Sequence, residues 1–279
     1  MPPLSLARRA PAEPPSTSAT VAADKVVANV ARLTAEFGAL DLFERLAAIR
    51  RVIGGRIVFT TSFGLEDQAI GHAILAQDLD IAVATLDTGR LFPETHQTWA
   101  ETERRYGRRI VALAPERAGV EDFVAQHGID GFRASVEARL SCCSIRKVEP
   151  LRRALAGAAG WITGLRAEQS RERSATPYAA FDPGHHTLKV NPLLDWTRER
   201  VVDFVRHHDV PYNALHDRGF LSIGCAPCTR AVAPGEPERA GRWWWEDEQK
   251  KECGLHGPRS TADETSRIGN KTKNNTDET

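Results

Sequence analysis

Hydrophobic positions along this chain switch repeatedly between two periods. From Asp24 to Ile53 apolar residues recur at helical spacing, which predicts one or two amphipathic helices. Arg56-Ile57-Val58-Phe59-Thr60-Thr61 is a β-branched run and predicts a strand, Ser62 to Asp67 a loop, and Gln68 to Ala76 a helix. Asp80 to Leu86 predicts a second strand ending at Asp87-Thr88-Gly89, and Pro93 to Tyr106 a helix with proline near its start. Arg109 to Leu113 and Trp161 to Leu165 are third and fourth strands. Short strands alternating with helices predict an α/β fold, a mostly parallel sheet flanked by helices. Ligands of such sheets bind beyond the carboxyl ends of the strands, where the Ser62 and Asp87 loops fall.

Composition bounds the rest. The Pro-, Ser- and Ala-rich stretch 1–20 and the polar stretch 260–279 read as disordered tails around one domain, 21–259. Lys and Arg number 37 and Asp and Glu 37, so bulk charge gives no reason to expect nucleic-acid binding. Apolar runs fall far short of a membrane span, and the N-terminal residues carry no apolar h-region. The expected compartment is the cytoplasm. In that reducing setting the clustered cysteines read as metal-binding or catalytic before they read as disulfides.

Several segments carry candidate chemistry. The Ser62-Phe63-Gly64 turn between a strand and a helix offers N–H groups to an anion; the plain alternative is an ordinary strand-to-helix turn. Glu66 and Asp67 make it a poor cradle for several phosphates, and it lacks the Gly and Lys pattern of a Walker motif. In Leu86 to Pro93, Asp87 can accept from a ribose or hold a turn, and Arg90 can face an anion. Cys142-Cys143 and Cys225-x-x-Cys228 together match Cys₄ ligation of an iron–sulfur cluster or zinc, with Arg146 and Lys147 offsetting thiolate charge. The alternative is a buried apolar pair plus a redox dithiol. Arg166, Arg171 and Arg173 follow the fourth strand and can bind a phosphate or sulfate, or form a solvated face. Arg239 and Arg242 precede Trp243-Trp244-Trp245, a run suited to closing the domain. Cys253 lies between Lys250/Lys251 and His256, cationic surroundings that favour the thiolate.

Taken in order, Ser62-Phe63-Gly64-Leu65-Glu66-Asp67, Leu86-Asp87-Thr88-Gly89-Arg90, Cys142-Cys143-x-x-Arg146-Lys147, Pro211-Tyr212-Asn213-x-Leu215-His216, Ile223-Gly224-Cys225-x-Pro227-Cys228-Thr229-Arg230, Gly241-Arg242-Trp243-Trp244-Trp245 and Glu252-Cys253-Gly254-Leu255-His256 resemble the assimilatory adenylyl-sulfate (APS) reductases of the phosphoadenylyl-sulfate reductase family. The resemblance runs from about residue 24 to 257. It implies an adenine-nucleotide α-hydrolase-like fold, related to PP-loop enzymes, with a C-terminal catalytic segment over about 235–257 that carries the nucleophilic cysteine. It also implies a 4Fe–4S cluster on Cys142, Cys143, Cys225 and Cys228, and APS in preference to its 3′-phosphorylated form, PAPS.

The implied chemistry is reduction of APS to sulfite and AMP in sulfate assimilation and cysteine biosynthesis. Cys253 forms an S-sulfocysteine that thioredoxin or a related dithiol protein resolves. Ser62, Gly64, Asp87, Thr88, Arg90 and Leu91 are the expected contacts to phosphate and adenosine. Lys147, Arg166, Arg171, Arg239 and Arg242 are the expected cations, and His256 assists Cys253. One departure is Ser62-Phe63-Gly64 where relatives commonly carry Ser-Phe-Ser-Gly. The rival readings are a PAPS or dual APS/PAPS reductase, an ATP-using PP-loop sulfurtransferase or ligase, and a non-enzymatic Cys₄ zinc protein. The sequence leaves homo-oligomer formation open.

Overall fold

A computed structural model describes residues 17–246 of the chain. It opens with helices α1 (Thr17–Phe37) and α2 (Leu42–Val52). A reciprocal cap sets the start of α2: Asp41 Oδ1 accepts from Glu44 N at 2.9 Å, and Glu44 Oε2 accepts from Asp41 N at 2.9 Å. Two donors that no helical carbonyl can reach are thereby satisfied. α1 begins inside the stretch up to residue 20 that composition marks as a tail.

The predicted alternation follows as β1 (Ile57–Thr61), α3 (Leu65–Ala76), β2 (Ala82–Leu86), α4 (Pro93–Tyr106) and β3 (Val111–Leu113). The first three strands start inside their expected runs, because the charged heads Arg56, Asp80 and Arg109 stay exposed ahead of the paired residues. α4 has the expected bounds and stops at Gly107, whose φ of 61° is a left-handed conformation open to glycine at little cost. Next come α5 (Arg117–His127), α6 (Val136–Cys143) and α7 (Glu149–Leu155), the last two joined by a π-helical turn over Ser144–Val148. They lead to β4 (Gly160–Ile162), the hairpin β5 (Ala179–Asp182) and β6 (Thr187–Val190), and α8 (Arg198–His207).

The six strands form one sheet in the order β3-β2-β1-β4-β6-β5. Every pairing is parallel except β5 against β6. The expected architecture is therefore present, with an antiparallel hairpin added at one edge. Both faces of the central strand are covered, as parallel sheets require. Ile57 and Phe59 pack into a core shared with α2, α3 and α8, while Val58 packs on the other face with Leu151 and Leu155 of α7 and with Trp161. Among the described residues, no helix is long and apolar enough to cross a membrane.

Candidate active site

The carboxyl ends of β1, β2 and β4 open onto one cavity. Thr61 and Ser62 come from the end of β1, Leu86 and Thr88 from β2, and Thr163 and Gly164 from β4. The opposite wall is built by Lys147 of the π-helical turn, by His216, and by the returning chain at Glu238, Arg239, Arg242 and Trp243. Of the expected substrate contacts, Ser62, Gly64, Thr88, Leu91, Lys147, Arg239 and Arg242 line this cavity.

The β1–α3 loop is held by its own acid. Asp67 Oδ2 accepts from Ser62 N at 2.6 Å and from Ser62 Oγ at 2.7 Å. Burial raises the Asp67 carboxyl to about 6 in spite of the two bonds from Ser62; Glu66 adds to the rise and Arg173 opposes it. Phe63 takes a left-handed backbone, φ 60°, secured by its N–H donating to Thr61 Oγ1 at 3.0 Å and by a ring stacked on Trp99 with centroids 5.7 Å apart. Gly164 must be glycine for space, since a Cβ there would run into the Asp67 carboxylate.

Four expected contacts lie elsewhere. Arg166 is fully buried beside the cavity and tied to three carboxylates: Glu66 at 2.7 Å, Glu168 at 2.9 Å and Glu238 at 2.7 Å. Burial pushes Glu66 up, but Arg166 beside it outweighs this and holds its carboxyl below the ordinary range. Glu238 goes up, through burial and the Glu66 charge. Arg171 is exposed, whereas Arg173, in the same 3₁₀ turn, is buried and lines the cavity. A turn this short has no period from which to read the inward arginine. Asp87 shapes its loop by accepting from Gly89 N at 2.9 Å. Arg90 donates to Ile129 O at 2.8 Å and lines a second, neighbouring cavity.

That second cavity is the cysteine centre. Cys142 and Cys143 end α6, Cys225 caps and Cys228 ends a short 3₁₀ turn, and all four line one space as free thiols. The π-helical turn that follows Cys143 widens the helix where both adjacent cysteines face the cavity. Its wall also holds Arg90, Arg139, Arg146, Lys147 and Arg242 and, among the described residues, no carboxylate.

The thiols differ in environment. Burial pushes Cys142 up, and it pushes Cys228 up to about 11, with the neighbouring Cys225 adding to the latter. At Cys225 burial is outweighed by Lys147, the Thr88 hydroxyl at 3.3 Å, Arg242 and Arg146, so its thiol lies below its ordinary value. Among the described residues, no group of three or more His, Cys, Asp or Glu side chains is arranged to hold a metal ion. Four thiols lining one space with five cationic side chains are a donor set, and a surrounding charge, that fit an anionic thiolate-ligated group.

The two cavities share a wall made of Lys147, Arg242 and Trp243. Thr88 spans both: its hydroxyl meets Cys225, and its carbonyl accepts from Arg146 Nη1 at 2.6 Å. His216, quoted in a motif but given no role from sequence, also lines the nucleotide-side cavity. Its Nδ1 lies 2.8 Å from Phe220 O, so that nitrogen carries the hydrogen, and burial lowers its pKa to about 4, leaving a neutral ring. Cys253 and His256 lie outside the described residues.

The family model described as phosphoadenosine phosphosulfate reductase domain matches residues 56–231. The chain belongs to the phosphoadenosine phosphosulfate reductase family, and is an oxidoreductase acting on a sulfur group. Within it, the chain is 50% identical over 244 residues to the adenosine 5′-phosphosulfate reductase of Agrobacterium fabrum, covering 88% of this chain and 94% of that one. It is 55% identical over 217 residues to the enzyme of the same name from Sinorhizobium fredii, covering 78% and 86%. Among solved structures it is similar to the phosphoadenylyl-sulfate reductase of Candida auris in a phosphate complex, with TM-score 0.60, 25% identity, and 73% and 96% of the two chains covered.

Proposed function

We propose that the chain reduces APS to sulfite and AMP, with Cys253 as nucleophile and a thioredoxin-type dithiol protein of the cytoplasm as reductant. The observation that carries this reading is the shared wall: Lys147 and Arg242 belong both to the cavity at the strand ends and to the four-cysteine cavity. The relatives named adenosine 5′-phosphosulfate reductase support APS as the substrate.

The lining of the first cavity carries the cations Lys147, Arg173, Arg239 and Arg242 beside the carboxylates Glu66, Asp67 and Glu238. The anionic phosphosulfate is assigned to Lys147, Arg239 and Arg242 and the nucleoside to the strand-end loops. There Ser62, Gly64, Thr88 and Leu91 supply backbone and hydroxyl groups. The cations lower the repulsion between the incoming thiolate and the sulfate. The Cys253 thiolate attacks the APS sulfur; the S–S bond forms as the S–O bond to AMP breaks, and AMP leaves as an anion. A thiolate of the dithiol protein then attacks the Cys253 sulfur and expels sulfite. Its second thiol releases Cys253 and leaves the partner oxidised to a disulfide, which accounts for both electrons.

Cys142, Cys143, Cys225 and Cys228 would hold a 4Fe–4S cluster. Bound there, it would supply a fixed negative charge beside Lys147 and Arg242.

Labelled APS added without reductant tests the scheme. A sulfonate-mass adduct on Cys253, absent from Cys253→Ser, is expected; active enzyme without that adduct overturns it. Relative rates with APS and PAPS separate the APS enzyme from the dual one.

A further inference from the structure

A neutral amide stands among the charges of the first cavity. Gln169 ends the 3₁₀ turn Ala167–Gln169 that follows β4, and it lines the cavity together with Glu66, Asp67, Arg173 and Glu238. Its Oε1 accepts from Arg166 N at 3.1 Å and from Arg173 Nη1 at 2.6 Å. Its Nε2 donates to Glu66 Oε1 at 3.1 Å, the same oxygen that accepts from Arg166 Nε at 2.7 Å. These partners fix which way the amide points. Turned over, it would set its N–H groups against two donors and its oxygen against a carboxylate.

Arg173 belongs to the next 3₁₀ turn, Arg171–Arg173, and is 9% exposed. A guanidinium on a long, rotamer-rich stem is drawn to any carboxylate it can reach. Asp67 already feels this one, since Arg173 opposes the rise of that carboxyl. A carboxylate at position 169 would hold Arg173 and cancel its charge. A neutral oxygen orients the guanidinium without cancelling that charge. The other end of the same amide holds Glu66, so one side chain sets the acid and the cation at separate, fixed places. Gln169 and Arg173 line the nucleotide-side cavity and not the cysteine cavity.

We propose that Gln169 is a positioning residue: its amide sets the Arg173 guanidinium toward the anionic part of the bound nucleotide and apart from the Glu66 carboxylate. This rests on the assignment of the cavity to APS, and it joins Arg173 to the cations given to the phosphosulfate. Without the amide, Arg173 keeps its charge and loses its place, and a cation out of place stabilises its anion far less than one held ready.

Gln169→Met, Arg173→Met and the double variant, each in the full chain, test this through the binding of AMP and of adenosine, which lacks the phosphate. Gln169→Met is expected to weaken AMP about tenfold, the loss of one charge-assisted contact, and adenosine less than about twofold. Arg173→Met should weaken AMP at least as much. With Arg173 already replaced, Gln169→Met should change AMP binding less than about twofold, because the two act through one guanidinium. Equal losses from Gln169→Met with and without Arg173 overturn the proposal. So does an equal loss for AMP and adenosine, the result a merely structural role would give. Should Gln169→Met fail to fold, Arg173→Met decides: AMP weakened with adenosine spared supports the proposal, and AMP bound as tightly as by wild type overturns it. A wild-type chain that binds AMP but forms no Cys253 adduct with APS removes the reaction assignment, and the AMP comparison still decides the role of Gln169. A wild-type chain that binds no AMP overturns both.

Discussion

Asp67 takes both hydrogens that Ser62 offers, its Oδ2 accepting from Ser62 N at 2.6 Å and from Ser62 Oγ at 2.7 Å. The carboxyl that does so is buried and raised from 3.8 to about 6. The folded state thus holds this proton more tightly than the unfolded chain. That contribution to stability is complete below pH 3.8 and is lost as pH rises through about 6. Asp67→Asn keeps an acceptor and does not titrate. Relative to wild type, it is expected to gain about 1.5 kcal/mol of stability between pH 5 and pH 8. Paired urea unfolding curves at the two pH values check this, and an equal difference at both would show that Asp67 ionises without penalty.

Arg166 has a structural role that the sequence assigned to substrate. One fully buried guanidinium serves Glu66, Glu168 and Glu238 at 2.7–2.9 Å. Arg166→Met leaves Glu66 and Glu238 with the more distant Arg198, 3.9 Å from Glu238, and a loss of about 3–5 kcal/mol is expected. Arg166→Lys should recover little of it, because one ammonium cannot reach the three carboxylates that Nε, Nη1 and Nη2 serve separately. Chemical denaturation of the three proteins side by side decides the matter; a lysine variant as stable as wild type would rule out the fork geometry as the cause.

Gly224 leaves room for Arg242. A Cβ at Gly224 would run into the Arg242 guanidinium, whose Nη1 otherwise lies 3.4 Å from Ile223 O. Gly224→Ala should therefore push this cation out of the wall between the two cavities. The expected result is KM for APS up by about tenfold, the loss of one charge-assisted contact. Gly54→Ala, where a Cβ meets nothing within 4 Å, is the control and should leave KM unchanged.

The parts of the fold legible in the sequence are those with a strong local period. β1, β2 and α4 are apolar or amphipathic over their whole length, and their end signals, such as Pro93, are local. The β5–β6 hairpin was not legible: Ala179–Asp182 and Thr187–Val190 are four residues each and mix apolar with polar side chains, so only pairing onto β4 defines them. In the site, cysteines were readable because their spacing is chemically specific. Arginines were not, because Arg166, Arg171 and Arg173 look alike in sequence and differ only in burial and partners. Asp67 and His216 acquire their perturbed protonation from tertiary burial, which no local pattern carries.

The cysteines divide by what each substitution should remove. Cys225 is buried in the cation-lined cavity with Lys147, Thr88, Arg242 and Arg146 acting to hold its thiolate form, the environment expected of a ligand. Cys225→Ser should therefore lose iron and acid-labile sulfide, expected in the wild-type chain at about four of each. With the group gone, five cations line a space that no anion fills, so the variant should also unfold at lower denaturant than wild type. Cys253→Ser should keep both iron and stability, because it leaves intact the four cysteines that line that cavity, and should lose all turnover of APS. Anaerobic purification with iron, sulfide and zinc analysis checks the whole set. A colourless wild-type chain with one zinc would replace the cluster by a structural ion, and iron retained in Cys225→Ser would remove Cys225 from the ligand set.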